Sequence, residues 1–223
     1  LVRKHQDFYF SFSCSGVFLE QARSYAPIVI ELLQKLVSSG QVEVLSETYY
    51  HSLAALYSPE EFTKQVALHQ QMVWDLFAVK PQVFRNTELI YSNDIAQQVA
   101  DLGFTTMLTE AVERNLRGRS KTQVFQSASN PPLTLLLKHA ELSDDIAFRF
   151  SDKSWVSFPL MSDQYLDWLN SYGETELINL FMDFETFGEH QWEDTGIFTF
   201  FEQFVERFLK QPYAEFVTPT QVH

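Results

Sequence analysis

The sequence predicts an α/β protein built round a parallel sheet, and three observations carry that expectation. Six short runs rich in β-branched and aromatic residues recur along the 223 residues, helical patterns lie between most of them, and hairpin dipeptides are few. Parallel neighbours need crossovers of about a dozen residues or more, which the helical stretches supply. A doubly wound sheet and a barrel both fit this order. No glycine-rich phosphate turn follows the first run, and that favours a barrel.

The expected strands are 8–13 (FYFSFS), 42–47 (VEVLSE), 82–87 (QVFRNT), 104–109 (FTTMLT), 146–150 (IAFRF) and 178–184 (INLFMDF). The clearest helix is 59–77. Ser58 can cap it, Pro59 takes its first position, Glu61 completes a capping box, and Phe62, Val66, Val73, Leu76 and Phe77 line one side. Further helices are expected at 25–38, stopped near Gly40; at 94–102, capped by Asn93 or Asp94 and stopped by Gly103; at 163–170 after Ser162; and at 197–209. The last carries Ile197, Phe198, Phe201, Phe204, Val205 and Phe208 as its apolar stripe, a core or domain-interface face. Residues 110–145 are polar, with Arg and Ser clusters and the pair Pro131-Pro132, and are expected as a lid-like insertion over a strand end. No repeat, low-complexity tract or linker divides the chain, so one domain over 1–223 is expected.

Composition narrows the function. A hydrophobic content of 45% with 15% aromatic residues is enough for one sizeable core. The 29 acids against 16 bases leave a net charge of -13, which repels nucleic acid phosphates and anionic membrane surfaces. Neither nucleic acid nor membrane is an expected partner. No segment reaches the roughly 18 apolar residues of a membrane span, and the opening LVRKHQDFYFSFSCSG lacks a signal peptide's order of regions, so a cytoplasmic protein is expected. The chain begins without Met and enters a strand almost at once, which suggests a portion of something longer. Cys14 has no partner for an internal disulfide and no local base to activate it, so it reads as a buried structural residue. His69 shares a helical face with Val66 and Val73 and reads as a packed histidine.

In a parallel barrel, chemistry collects where the loops leave the C-terminal strand ends. Strand 42–47 leads to Glu47, Tyr49, Tyr50 and His51; strand 82–87 to Arg85, Asn86 and Glu88; strand 104–109 to Glu110; strand 146–150 to Arg149 and Asp152; and strand 178–184 to Asp183, Glu185 and His190. One polar strand exit is commonly solvated loop; five on one rim favour a site. The mixture of carboxylates, aromatic rings and imidazoles with few cations suits sugars, because carboxylates bind hydroxyls, rings stack on pyranose faces, and a carboxylate pair can serve as nucleophile and acid/base. Phosphate ligands would call for more Arg and Lys.

Three long stretches occur in order: GQVEVLSETYYHSLAALYSPEEF, VFRNTELIY and LFMDFETFGEHQWEDTGIF. They resemble the second, third and fourth conserved regions of glycoside hydrolase family 57, the α-amylase, glucanotransferase and branching-enzyme family with a seven-stranded (β/α) barrel. SDDIAFRFS at 143–151 resembles the α-amylase members in particular. The resemblance covers nearly the whole chain. It implies that Glu88 is the nucleophile and Asp183 the general acid/base of a retaining reaction on α-1,4-glucans or maltooligosaccharides, without a cofactor or metal. It implies a substrate contact at His51 and a subsite lining of Glu185, His190 and Trp192, with Trp192 as a stacking ring. Tyr50 and Arg149 complete the candidate substrate-binding set from their places at the rim.

The family's first region, a His-Gln-Pro stretch, has no match here, since His5-Gln6 is followed by Asp7. The fifth region is expected beyond His223, so the chain is expected to hold about six strands of an incomplete barrel. Taken without the motifs, Glu88 could simply pair with Arg85 and Asp183 could cap the next helix. Glu185 could hold Asp183 protonated by repulsion or pair with a loop cation. Two other functions compete with the glycosidase: a silent glucan-binding relative, and a metal-dependent carbohydrate hydrolase or deacetylase. The latter needs two or three convergent His plus an Asp, whereas only His51 and His190 reach the rim.

Overall fold

A computed structural model describes residues 1–173, 175 and 177–222. The chain runs β1 (Phe10–Phe12), α1 (Gly16–Tyr25), α2 (Pro27–Ser38), β2 (Val42–Val44), α3 (Ala54–Tyr57), α4 (Pro59–Phe77), β3 (Val83–Arg85) and α5 (Asn93–Asp101). It continues through β4 (Thr106–Thr109), α6 (Glu113–Leu116), β5 (Phe125–Gln126), β6 (Thr134–Leu137), α7 (Ala140–Ala147), α8 (Ser162–Asn170) and α9 (Ile197–Phe208).

The parallel wall follows from the pairings. β1 pairs with β2, and β3, β4 and β6 pair in that order, all in parallel. Two single bridges extend this array: Ser46 to Phe84 joins β2 to β3, and Lys138 to Asn179 adds the 178–183 segment beside β6. Six staves therefore run in one direction, and their C-terminal ends share one rim. β5 is the antiparallel exception; it occupies the lower side of β6 and leaves the upper side to Asn179.

α4 and α5 pack against this wall. α4 has the bounds its signals predict, with Ser58 Oγ accepting from the Glu61 amide and Pro59 at the first turn. Its buried Phe62 and Val66 pack with Phe84, Ile95, Val99 and Met107 between the helices and the wall. The helix expected at 25–38 is α2, and a further helix that the sequence pattern did not mark, α1, precedes it; Pro27, which has no amide hydrogen to continue α1, separates the two and opens α2. Gly16 opens α1 beneath Tyr49, where a Cβ would lie 2.2 Å from the ring, so a larger residue would displace the turn that carries His51.

The second half of the chain corrects the sequence expectations. Residues 146–150 are not a strand; they finish α7 and turn. Leu142, Ile146 and Phe150 are spaced by four, a helical period, and all are buried. The strand expected there lies earlier, at β6, within the stretch expected to be a lid. Leu133, Leu135, Leu136 and Leu137 are buried, the continuous apolar run of a strand covered on both faces. The 134–145 part of that stretch is thus wall and helix, and 110–133 is the part that crosses between staves. Segment 178–184 runs along the wall without forming an extended ladder. His139 N donates to the Asn179 carbonyl (2.9 Å), Asn179 Nδ2 to the Leu137 carbonyl (3.0 Å), and Phe181 N to Ser143 Oγ (3.0 Å). On α9 the buried stripe is Ile197, Phe200, Phe204 and Val205, while Phe198 faces outward. Among the described residues no helix is long and apolar enough to cross a membrane.

Between β1 and the 178–183 segment the staves border an open cavity of about 3410 Å³. Phe10, Phe12, Leu180, Met182, Phe201 and Phe204 line its apolar part. Cys14, Glu47, His51, Arg85, Glu88, Glu110, Lys138, Asp144, Asp183 and Glu185 line its polar part.

Candidate active site

The turn that follows β3 is held in an unusual backbone. Glu88 and Leu89 have φ of 53° and 55°, and His51 on the neighbouring turn has φ of 50°. Left-handed conformations at non-glycine residues cost about 1–3 kcal/mol each and persist only where the surroundings enforce them. Here a set of hydroxyls does so. Thr48 Oγ1 accepts from the Ser52 amide (2.9 Å) and lies 3.3 Å from Thr87 Oγ1, which donates to the Ser52 carbonyl (2.8 Å). Asn86 Nδ2 donates to the Ile90 carbonyl (2.9 Å). The Leu89 carbonyl accepts from the Glu110 amide (3.2 Å) and from Thr109 Oγ1 (3.3 Å), which ties the turn to β4. Thr48, Asn86, Thr87 and Thr109 are all buried, so these bonds are shielded from water.

The clamp brings His51 between two carboxylates. Its Nδ1 lies 2.7 Å from Glu47 Oε2 and its Nε2 lies 3.5 Å from Glu88 Oε1. An imidazole can donate from both nitrogens only as the imidazolium. The Glu47 hydrogen bond is the chief cause that raises the His51 pKa above its usual value, against the opposing effect of burial. Arg85 Nη1 lies 3.4 Å from the same Nδ1. The shorter contact to Glu47 takes the ring proton, and Arg85 flanks the ring as a charge. Glu88 therefore pairs with His51, not with Arg85, and its side chain is 73% exposed towards the cavity.

Asp183 lies on the sixth stave at the same rim. It precedes the short 3-10 turn Phe184–Thr186 without a side-chain cap bond, so it does not serve as a helix cap. Its side chain is free to face the cavity, which it lines together with Glu185. Phe184 packs edge-on against Phe12 of β1 at 6.1 Å, which carries this turn across towards the first stave. His190 sits further along, its ring 5.8 Å from Phe148. Gln191 Nε2 donates to the Ala147 carbonyl (3.0 Å) and fixes that loop on the end of α7.

Four expected substrate contacts stand apart from the cavity lining, and His190 on Phe148 is one of them. Trp192 is exposed and lines a separate surface depression with Glu193 and Asp194. Tyr50 is exposed and packs edge-on against Tyr49 at 5.0 Å. Arg149 leaves a helix end instead of a strand end and pairs with Asp145 one helical turn earlier. Glu47 and Glu110, expected at the rim without a particular role, line the cavity, as does Phe148, which no sequence signal marked. The four-residue spacing of Glu47 and His51 was the available signal.

His69 and Cys14 lie behind this rim. His69 is fully buried and its Nε2 donates to the Cys14 carbonyl (2.9 Å), leaving Nδ1 to accept from Ser46 Oγ (3.4 Å) and the Glu47 amide (3.5 Å). Burial lowers its pKa and keeps it neutral. Burial also pushes the Cys14 thiol up to about 12, which removes it as a nucleophile. Among the described residues no group of three or more His, Cys, Asp or Glu side chains is arranged to hold a metal ion.

The family model described as glycosyl hydrolase family 57 matches residues 1–223. The chain belongs to that family. A Methanocaldococcus jannaschii protein that carries a provisional alpha-amylase name is 43% identical over 217 residues, covering 97% of this chain and 46% of its own length. The chain thus spans about half of that relative. The fold matches 4-alpha-glucanotransferase from Thermococcus litoralis with a TM-score of 0.79 at 16% identity, over 99% of this chain and 34% of that one. It also matches the exo-type maltose-forming amylase from Pyrococcus sp. ST04 with a TM-score of 0.73 at 14% identity, over 99% of this chain and 37% of that one. The family expected from the three motifs is the family that matches.

Proposed function

We propose that this chain carries the reacting carboxylates of an enzyme that hydrolyses or transfers α-1,4-glucan units through a covalent glycosyl intermediate. In this reading its six staves are part of the family's seven-stave barrel, and the cavity is the barrel interior. The observation that supports the reading most is the Glu88 turn: a carboxylate on a left-handed backbone, clamped by buried hydroxyls, with His51 Nε2 3.5 Å from its Oε1. A hydrogen-bond donor beside a carboxylate fixes its orientation, which is what a nucleophile requires.

Glu88 attacks the anomeric carbon as the glycosidic C–O bond breaks, and Asp183 gives its proton to the departing sugar oxygen. Water or a sugar hydroxyl then attacks the same carbon, Asp183 recovers a proton from it, and the bond to Glu88 breaks. A retaining pair of this kind works at about 5–5.5 Å between carboxyls. Whether water or sugar completes the cycle decides between hydrolysis and transfer, and both use the same residues. The name of the 43% identical relative supports a glucan as substrate.

The test is Glu88→Gln in the full-length protein, assayed on soluble starch and maltooligosaccharides. Turnover should fall by about 10⁴-fold or more, the scale on which loss of a covalent nucleophile acts. Wild-type turnover in this variant would end the proposal.

A further inference from the structure

Glu47 is 2% exposed and stands at the foot of the rim, at the end of β2. A buried carboxylate is costly unless its lone pairs are used, and its side chain has one close partner that leads to the site, His51 Nδ1 at 2.7 Å. The other ring nitrogen of His51 faces Glu88 at 3.5 Å. The ring thus joins a sealed carboxylate to an exposed one. Without Glu47, His51 could rotate about its side-chain torsions or take the tautomer that points a lone pair at Glu88, and either change removes the donor beside that carboxylate.

We propose that Glu47 is a positioning residue that holds His51 with Nε2 directed at Glu88. The proposal rests on the reading of Glu88 as nucleophile. Three charged groups face the His51 ring: Glu47 from the end of β2, Arg85 from the end of β3, and Glu88 from the turn after it. Arg85 opposes charge on the ring, whereas the short Glu47 contact is the chief cause that raises the ring's pKa and the contact that orients it. The backbone agrees with this division, because the Glu47 amide is itself held against His69 Nδ1 while the Thr48 to Thr87 contact sets the distance between the two turns.

The test uses the full-length protein and two variants, Glu47→Gln and Glu47→Asp. The first keeps the shape and removes the charge; the second keeps the charge and shortens its reach by one methylene. Histidine side-chain NMR, with the His51 signal assigned by its loss in His51→Gln, follows the ring titration, and steady-state kinetics on a maltooligosaccharide separate kcat from KM. In E47Q the His51 titration should move to lower pH and kcat should fall about 10- to 100-fold, the worth of one charge-assisted hydrogen bond, with a much smaller change in KM. E47D should lie between E47Q and wild type in both readouts. In a double-mutant cycle, E47Q should cost nothing further once His51 is Gln. An unchanged His51 titration in E47Q, or additive losses in the cycle, would overturn the proposal. An inactive wild-type protein would instead overturn the glucan reading while the titration still reports on the Glu47 contact.

Discussion

The two carboxylates assigned to the chemistry stand in unlike surroundings. Glu88 rides on a turn pinned from the two flanking staves: Thr48 Oγ1, the Ser52 carbonyl and the His51 ring from the turn after β2 on one side, and Thr109 and the Glu110 amide from the end of β4 on the other. Asp183 stands on a segment joined to the wall by one bridge and a few side-chain bonds, and its own carboxyl caps nothing. The difference suits the two roles. A nucleophile must meet one carbon at one angle, and preorganisation counts most there. An acid/base serves first a leaving oxygen and then an incoming one, and an open approach suits both.

Asp183→Asn probes the less tightly held of the two carboxylates. Turnover of unactivated maltooligosaccharides should fall by about 10²- to 10⁴-fold, the span of general acid/base catalysis. The loss should shrink for aryl glycosides whose leaving group needs no proton, whereas Glu88→Gln should lose both substrates alike. Comparing kcat/KM across leaving groups checks this, and an equal loss on both substrates in D183N would refute the acid role.

A smaller effect sharpens the contrast between the rim and the layer behind it. The folded-state pKa of His51 is raised, first by its hydrogen bond to Glu47, so its contribution to stability is full below the unfolded value of about 6.5 and is lost as pH rises through the folded value. His69 is lowered by burial, so its penalty grows as pH falls below about 6.5 and through its folded value. Thermal melts across pH should therefore show His69→Gln weakening the acid-side loss of stability and His51→Gln weakening the alkaline-side loss. The reverse assignment would contradict the charge states given to the two rings.

Much of this arrangement was legible in the residue order, and the misses have physical causes. Ser58, Pro59 and Glu61 marked α4 to its ends because capping is local chemistry. β6 was hidden because a strand buried on both faces shows no alternation, and its leucines are not strong strand formers. Residues 146–150 misled because a five-residue apolar run fits a strand or a helix end equally. At the site, the loops bearing Glu88 and Asp183 were readable from motif and strand order. The Thr48 to Thr87 clamp was not, since it joins turns 39 positions apart through side chains that look like ordinary loop threonines. Arg149 and Tyr50 were drawn in by sequence neighbourhood, and one is held by Asp145 while the other packs on Tyr49.

In the proposed reaction Glu88 forms a bond to sugar while Asp183 works on the same linkage. Incubating the full-length protein with a fluorinated maltosyl fluoride that slows breakdown of the intermediate, then mapping the labelled peptide by mass spectrometry, tests it most directly. One glycosyl adduct is expected, on the peptide containing Glu88, and it should still accumulate in Asp183→Asn because fluoride leaves without a proton. An adduct on another carboxylate, or turnover of the reagent with no adduct at all, would contradict that reaction.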